Sequence, residues 1–370
     1  MCAYMDFMEQ AISLAKLAHG NVSPNPAVGA VLVKDGVVIG QGFTQSPGLR
    51  HAEIVALEQA GEQARGSTLY VTLEPCCHFG RTSPCTHAII AAGVSRVHIA
   101  MIDPNPLVNG KGRAELDAAG MKTFVGKHED QARQINEAYI KFITTGLSFV
   151  TVKIAMSLDG KIATASGDSR WISNAESRQF AHTLRHTHDA IMTGVNTVLA
   201  DDPHLTTRFA RGRGGTIRKQ PLRVIVDGRG RTPHSARLLR EAGKTILAMG
   251  RKATPEEKAA FGALDTEIIE FDADDGVINL RALLKKLGER QVTSVLVEGG
   301  GILVGSLFDQ GLVDRVFVFI APIIIGGNGR ASVVGHGADR LVDAFQLDRI
   351  SVTRFGDDTL VSGYVAGKSC

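Results

Sequence analysis

Two short stretches hold the residues whose types and spacing can do chemistry. The first is HAEIVALEQAG, residues 51–61, in which a histidine and a glutamate stand two apart at the head of a helical pattern. Ile54, Val55, Leu57 and Ala60 supply its apolar side, and Gly61 is a natural stop. Residues two apart do not face each other on an ideal helix, so His51 and Glu53 make a poor side-by-side pair. Both can still converge on something just beyond the helix N-terminus. The second stretch is LEPCCHFGRTSPC, residues 73–85, where Cys76 and Cys85 each follow a proline. One histidine plus two thiolates leave a fourth position open, which is the pattern of a catalytic zinc site; structural sites close with four protein ligands. Zinc in such a site brings the pKa of a bound water down to about 7. Glu53 then moves protons between that water and a leaving amine. Taken singly, each of these residues reads as ordinary, and Cys77, His78 and His87 show that cysteine and histidine are locally common. The joint pattern reverses that reading.

These side chains need elements to hold them. Residues 6–19 read as an amphipathic helix, and AVGAVLVKDGVVIGQGF as two strands around a Lys34-Asp35-Gly36 hairpin. STLYVTL, VSRVHIAM and MKTFVG read as strands, THAIIAAG and AELDAAG as helices, and 129–145 as one more helix ending near Gly146. Strands separated by helices predict an open sheet with helices on its faces. A second alternation starts at Ser148 with FVTVKIAMSLDG, a strand and turn. NAESRQFAHTLRHT, INLRALLKKLGE and ILVGSLFDQG then read as helices; DAIMTG, LRVIVDG, TILAMG and TSVLVEGGG read as strands. VDRVFVFIAPIIIGG closes the series as a strand. The expected domains are therefore 1–147 and 148–370. The basic, glycine-rich RFARGRGGTIRKQ at 208–220 is expected to be a mobile loop, and no repeat relates the halves.

Bulk properties bound the answer. A chain of 370 residues exceeds what one hydrophobic core usually serves. With 44% hydrophobic and 21% charged residues, the composition is that of a soluble globular protein. A net charge of +3 without a dense Lys/Arg run is no nucleic-acid footprint. The longest apolar stretches are strand-sized, so no membrane partner is expected. MCAYMDFMEQ lacks a basic region and a long apolar core, so no signal peptide is expected. The five cysteines, Cys2, Cys76, Cys77, Cys85 and Cys370, make a poor disulfide framework and point to a reducing compartment, the cytoplasm.

In the second half, VLVEGGGILVGSL places glycines between a strand and a helix. A phosphate can approach the free N–H groups of such a helix start. The stretch is neither a Walker motif nor G-x-G-x-x-G, and alone it reads better as a tight structural turn. TGVNTVLADDP offers a second small-residue turn into a short helix.

His-x-Glu followed by Pro-Cys-x-x-Cys is the zinc deaminase signature. Here eight residues separate the two cysteines instead of two, which argues against the usual cytidine and tRNA-adenosine branches. With that long interval, HAE, TLEPCCHFGRTSPC and the upstream SPNPAVGAVLV resemble the deaminase domain of the bifunctional riboflavin-biosynthesis deaminase/reductases. The resemblance runs on through DPNPLVNGKG, VKIAMSLDGKIATASGDSRWIS and GVNTVLADDPHLTTR, covering nearly the whole chain. It implies an N-terminal cytidine-deaminase-like three-layer α/β/α domain and a C-terminal dihydrofolate-reductase-like α/β domain. It also implies two reactions on a small phosphoribosylamino-pyrimidine. Zinc-dependent hydrolysis would remove the 2-amino group of 2,5-diamino-6-(5-phosphoribosylamino)pyrimidin-4-one, and NADPH would then reduce the ribosyl group to ribityl. A homo-oligomer is expected.

Carried over by motif, the metal ligands are His51, Cys76 and Cys85, with Glu53 catalytic. Cys77 stands where relatives commonly have serine; Cys76 directly follows Pro75 as in the family motif and is the expected ligand, with Cys77 pointing elsewhere. Asn25 reads equally as a pyrimidine contact or as a turn residue between two prolines. The resemblance implies that Ala155, Trp171, Thr197, Asp201, Gly300, Gly301, Ile302, Leu303, Val304, Gly305 and Ser306 touch the cofactor. It implies that Ser169, Arg185, Leu205, Arg208 and Glu298 touch the substrate, the arginines holding its phosphate by paired hydrogen bonds. Asp201 would supply or relay the proton that accompanies hydride transfer. Trp171, the only tryptophan, packs either on the cofactor or in the core. Gly228 stands where relatives often have serine, removing a cofactor hydrogen bond. Arg251 and Lys252, after TILAMG, stand either where a 2′-phosphate would lie or in a solvated basic turn. Two other readings compete. One is a nucleobase or nucleoside deaminase with an inactive C-terminal half, which the intact SLDGKIA, GDSRW, LADDP and EGGG motifs oppose. The other is a zinc-stabilised nucleotide-binding module, which has no use for Glu53.

Overall fold

The computed structural model describes residues 6–80, 83–208, 220–273 and 275–367, and the chain divides between Gly146 and Leu147 into two compact units. The first unit runs α1 (Phe7–Ala18), β1 (Gly29–Lys34), β2 (Val37–Phe43), α2 (Ala52–Ala60), β3 (Thr68–Val71), α3 (Cys85–Ala91), β4 (Arg96–Ile99), α4 (Lys111–Ala118), β5 (Lys122–Val125), α5 (Glu129–Ile135) and α6 (Glu137–Thr145). Its sheet has the order β2-β1-β3-β4-β5, antiparallel across β2, β1 and β3 and parallel from β3 to β5. Asp35 and Gly36 both take positive φ, 51° and 78°, as a tight two-residue hairpin turn requires. A Cβ on Gly29 would meet Ala11 O of α1 at 1.9 Å, whereas one on Gly42 would meet Ala52 O of α2 at 2.5 Å. Gly42 pairs with Ala30, the neighbour of Gly29, so α1 and α2 cover opposite faces of the sheet. Three layers follow.

The single helix expected over 129–145 is two. Asn136, buried at the junction, accepts from Ala27 N at 2.8 Å and donates to Ala27 O at 3.0 Å through its side-chain amide. A distant tertiary contact thus breaks a helix that local propensity would continue.

The second unit runs β6 (Phe149–Ser157), β7 (Lys161–Ala163), α7 (Ala175–Thr187), β8 (Ala190–Gly194), α8 (Val195–Asp201), β9 (Leu222–Asp227), β10 (Thr245–Met249), α9 (Pro255–Gly262), β11 (Thr266–Glu270), α10 (Leu280–Glu289), β12 (Ser294–Val297), α11 (Gly301–Asp309), β13 (Arg315–Ala321), β14 (Arg330–Ala331), β15 (Leu347–Phe355) and β16 (Asp358–Val365). Nine strands form one sheet in the order β11-β10-β9-β8-β12-β6-β13-β16-β15; β14 pairs with β7 apart from it. Pairing is parallel from β11 to β13 and antiparallel through β16 and β15. Apolar side chains alternate between faces: Met192, Val224 and Ile246 pack with α10 and α11, while Ile191, Ile225 and Leu247 pack with α8 and α9.

The series of strands does not close at β13. The β15–β16 hairpin follows it, and α9 and β11 lie between β10 and α10. Between its two half-buried ends β15 is exposed, Ile350 and Val352 at 59% and 65%, so its pattern marks no buried face. Of the loop expected at 208–220, residues 209–219 lie outside the described residues. No helix among the described residues is long and apolar enough to cross a membrane.

Candidate active sites

The first site stands where α2 and α3 begin. His51 is the N-cap of α2, with extended backbone and no capping bond from its side chain, and its imidazole turns toward Cys85 and Cys76. Cys85 opens α3 behind Pro84, and Cys76 lies in the loop after β3. The ligand atoms of His51, Cys76 and Cys85 all fall within 4.8 Å of one another. His51 Nδ1 lies 3.2 Å from Cys85 Sγ and 3.7 Å from Cys76 Sγ. Cys85 N donates to Cys76 Sγ at 3.4 Å, and a hydrogen bond from the Cys85 thiol, with His51 beside it, draws the Cys76 thiol down to about 4. Cys77 turns away, its thiol toward Leu107 O at 3.9 Å, and burial pushes that thiol up. Two sulfurs and one imidazole nitrogen so close together form a donor set suited to a zinc ion with one open position.

Glu53 sits in the first turn of α2, only 4% exposed. Burial lifts its carboxyl to about 7; the Cys76 thiolate adds to the lift and His51 opposes it. A carboxyl poised near neutrality can both take and give a proton.

Several residues around this site went unread in the sequence. Glu74, next to the ligand segment, is buried and accepts from Asp103 N at 3.2 Å, Gly110 N at 2.9 Å and Arg113 N at 2.9 Å. It ties the loop 103–113 to the segment that carries Cys76. Gly112 has no room for a side chain, since a Cβ would stand 2.1 Å from Pro75 O. Burial raises Asp103 to about 6, and the Tyr139 hydroxyl donates to it at 3.0 Å. The DPNP segment at 103–106 carries the sequence signal for Asp103. Asn25 is half-buried, its backbone N–H closing a turn on Val22 O at 2.9 Å.

The second site is a cavity of about 1430 Å³ in the second unit. It opens at the C-terminal ends of the adjacent strands β9, β8, β12 and β6, the place where open parallel sheets take ligands. Ala155, Ser169, Trp171, Arg185, Thr197, Asp201, Leu205, Arg208, Glu298, Gly300, Gly301, Ile302, Leu303 and Ser306 all line it. Val304 and Gly305 do not. They face inward from α11: Val304 is fully buried, and a Cβ on Gly305 would fall 0.9 Å from Val334 O. Only part of a helix turns toward a cavity at its N-terminus. Trp171 is 70% exposed, which removes the core reading, and the Arg178 guanidinium lies 4.7 Å from its ring centroid.

Arg185 is not a free phosphate clamp. Its fork engages Glu298 at 2.5 and 2.9 Å and Thr206 O at 3.0 Å. Burial alone would raise the Glu298 carboxyl, but Arg185, with Lys153 nearby, holds it down at about 2. Ser169 Oγ donates to Asp201 Oδ1 at 3.1 Å. Gly300 N donates to Thr197 Oγ1 at 3.0 Å, and a Cβ on Gly300 would meet nothing nearer than that oxygen at 3.6 Å. The backbone at Gly300 is therefore open to the cavity, which fits the approach of a phosphate. Lys153 and His182 also line the cavity and were not singled out in the sequence. Burial lowers both, His182 to about 4. The signal for Lys153 was a lone cation in the otherwise apolar strand FVTVKIAMS. Arg251 and Lys252 do not line the cavity; Arg251 pairs with Glu257.

A thiol–imidazole site with a buried carboxyl in one unit and a nucleotide-sized cavity in the other define a two-domain enzyme with two chemistries. Residues 2–101 match the cytidine and deoxycytidylate deaminase zinc-binding region, and residues 148–361 match the RibD C-terminal domain. The riboflavin biosynthesis protein RibD of Aquifex aeolicus is 43% identical over 96% of this chain and 97% of its own length. That of Escherichia coli is 38% identical over 95% and 96%. Among solved structures, Acinetobacter baumannii RibD superposes with a TM-score of 0.89 at 37% identity, covering 97% of this chain and 98% of that one. A diaminohydroxyphosphoribosylaminopyrimidine deaminase/5-amino-6-(5-phosphoribosylamino)uracil reductase of Thermotoga maritima gives 0.84 at 34% identity, with the same coverage. The chain belongs to the RibD family, the bifunctional deaminase/reductases of riboflavin biosynthesis. Its first unit is cytidine-deaminase-like and its second has the mixed sheet of a dihydrofolate-reductase-like domain.

Proposed function

We propose that residues 1–147 hydrolyse the 2-amino group from 2,5-diamino-6-(5-phosphoribosylamino)pyrimidin-4-one and that residues 148–370 then reduce its ribosyl group to ribityl with NADPH. The observation that carries the first half is Glu53, buried beside three convergent metal-ligand side chains. Zinc held by His51, Cys76 and Cys85 would supply the Lewis acidity that readies a water for attack at neutral pH. Glu53 takes that water's proton and passes it to the departing amine, which leaves as ammonia. The loop pinned by Glu74 brings Asp103 to the same neighbourhood, where it is suited to hold the pyrimidine edge.

NADPH would supply the hydride for the second step. The open backbone at Gly300, the N-cap of α11, receives the pyrophosphate. Trp171 and Ala155 border the cofactor, while Ser169, Leu205 and the Arg185–Glu298 pair wall the substrate. Arg208 is the cation left to meet the substrate phosphate. Asp201, oriented by Ser169, delivers or relays the proton; Lys153, its ammonium disfavoured by burial, is the second group able to release one. Free Cys76, Cys77 and Cys85 suit a reducing cytoplasm.

The chain also self-associates in this proposal. Ile350 and Val352 share one face of the edge strand β15, and Leu341 and Val342 stand 93% and 75% exposed just before it. A second copy is the occupant that the homo-oligomer expectation requires. The experiment for the catalytic reading is incubation of purified protein with the pyrimidine, with and without NADPH. Ammonia should appear in both, and NADPH absorbance should fall only when both substrates are present. Absence of ammonia refutes the deaminase half; ammonia without NADPH oxidation refutes the reductase half.

A further inference from the structure

We propose that Arg231 binds the 2′-phosphate of the cofactor and thereby selects NADPH over NADH, an inference that rests on the reductase reading above and extends it. The other arginines near this end of the cavity are already engaged. Both terminal nitrogens of Arg251 bind the Glu257 carboxylate, at 2.9 and 2.5 Å. Arg237 pairs with Asp202 at 3.5 Å. Arg229 lies over residue 276, where a Cβ on Gly276 would meet its side chain at 2.9 Å. Arg231 lines the cavity, and its side-chain partner is neutral: Nη2 donates to Asn196 Oδ1 at 2.9 Å. No carboxylate among the described residues neutralises it.

Its position follows from two hydrogen bonds. Asn196 precedes Thr197, whose hydroxyl accepts from Gly300 N at 3.0 Å. One residue and one hydrogen bond on either side therefore separate the guanidinium from the turn assigned to the pyrophosphate. The guanidinium and that turn are therefore neighbours, as the 2′-phosphate and 5′-phosphate of one ribose require. Val226, Gly228, Gly276, Val277 and Ile278 line the same cavity. Gly228 has no room for a side chain, because a Cβ there would stand 1.7 Å from Gly276 O. Apolar side chains and bare glycine backbone of this kind suit a purine ring. A guanidinium presents parallel N–H donors to phosphate oxygens.

Trp171, the sole tryptophan, lines the same cavity, so quenching of its fluorescence reports cofactor binding without turnover. The full chain is titrated with NADPH and with NADH, alongside Arg231→Ala, Arg231→Lys and Arg251→Ala. Loss of a charge-assisted hydrogen bond predicts that Arg231→Ala weakens NADPH by about ten- to a hundredfold and leaves NADH within about twofold. Arg231→Lys restores part of the loss, and Arg251→Ala changes neither constant. Should Arg231→Ala melt early by circular dichroism, Arg231→Gln carries the same expectation. An unchanged NADPH constant, or equal loss for both cofactors, overturns the assignment of Arg231. Failure of the unaltered chain to bind either cofactor overturns the reductase reading instead.

Discussion

Removing one oxygen's charge at Glu53 separates proton transfer from metal binding. Glu53→Gln should lower ammonia release by about a hundredfold or more while zinc content, measured by atomic absorption, stays unchanged. The adjacent thiols give a sharper contrast. Cys76→Ser and Cys85→Ser should each empty the metal site, whereas Cys77→Ser should keep zinc, because its sulfur faces Leu107 O and not His51. In the cavity, the Arg185–Glu298 pair makes stability depend on pH. The folded Glu298 carboxyl is held at about 2, below its ordinary 4.5. Its contribution is therefore present above pH 4.5 and is lost as pH falls from there through about 2. Glu298→Gln should cost about 3–5 kcal/mol at pH 7, since Arg185 is left buried without its partner. The gap between variant and parent should narrow in urea titrations at pH 3.

At the scale of elements, the sites are held by a few contacts that join distant segments. Asn136 splits α5 from α6 by bonding both backbone groups of Ala27. Asn136→Ala leaves those groups unmet and should cost about 1–3 kcal/mol, read as a lowered unfolding midpoint of the first unit. Glu74 and Gly112 press the 103–113 loop against the ligand segment, so the loop's place is set by tertiary contact. The regular elements themselves were legible in the sequence: α1, the β1–β2 hairpin, α7, α10 and the parallel strands all follow from periodicity and turn residues. The exceptions have physical causes. The split at Asn136 comes from a side chain bonding across 109 residues, and β15 lacks a buried face to mark it.

Over the whole molecule, the metal-site residues fall in one unit and the cavity residues in the other. Asp201→Asn should therefore abolish most NADPH oxidation while ammonia release stays near that of the parent, and chromatography should show the deaminated, unreduced pyrimidine accumulating. Parallel loss of both activities in a folded variant would contradict two separate sites. The oligomer is tested at the same scale. Ile350→Lys with Val352→Lys should shift the light-scattering mass to that of a single chain, and an unchanged mass would place the interface elsewhere.

The types and intervals of His51, Glu53, Cys76 and Cys85 determined the chemistry of the first unit in the sequence alone, because metal ligation and proton transfer depend on donor identity. Alternation of strand and helix likewise determined two α/β units. What only the tertiary structure decided was direction and competition. It turned Cys76 toward His51 and Cys77 away, faced Val304 and Gly305 inward, occupied Arg185 with Glu298 and Arg251 with Glu257, and left Arg231 at the cavity beside Asn196. Sequence spacing says which donors and charges exist. Which of them remain available depends on partners brought together from far along the chain, and the packing of the folded sheet decides that.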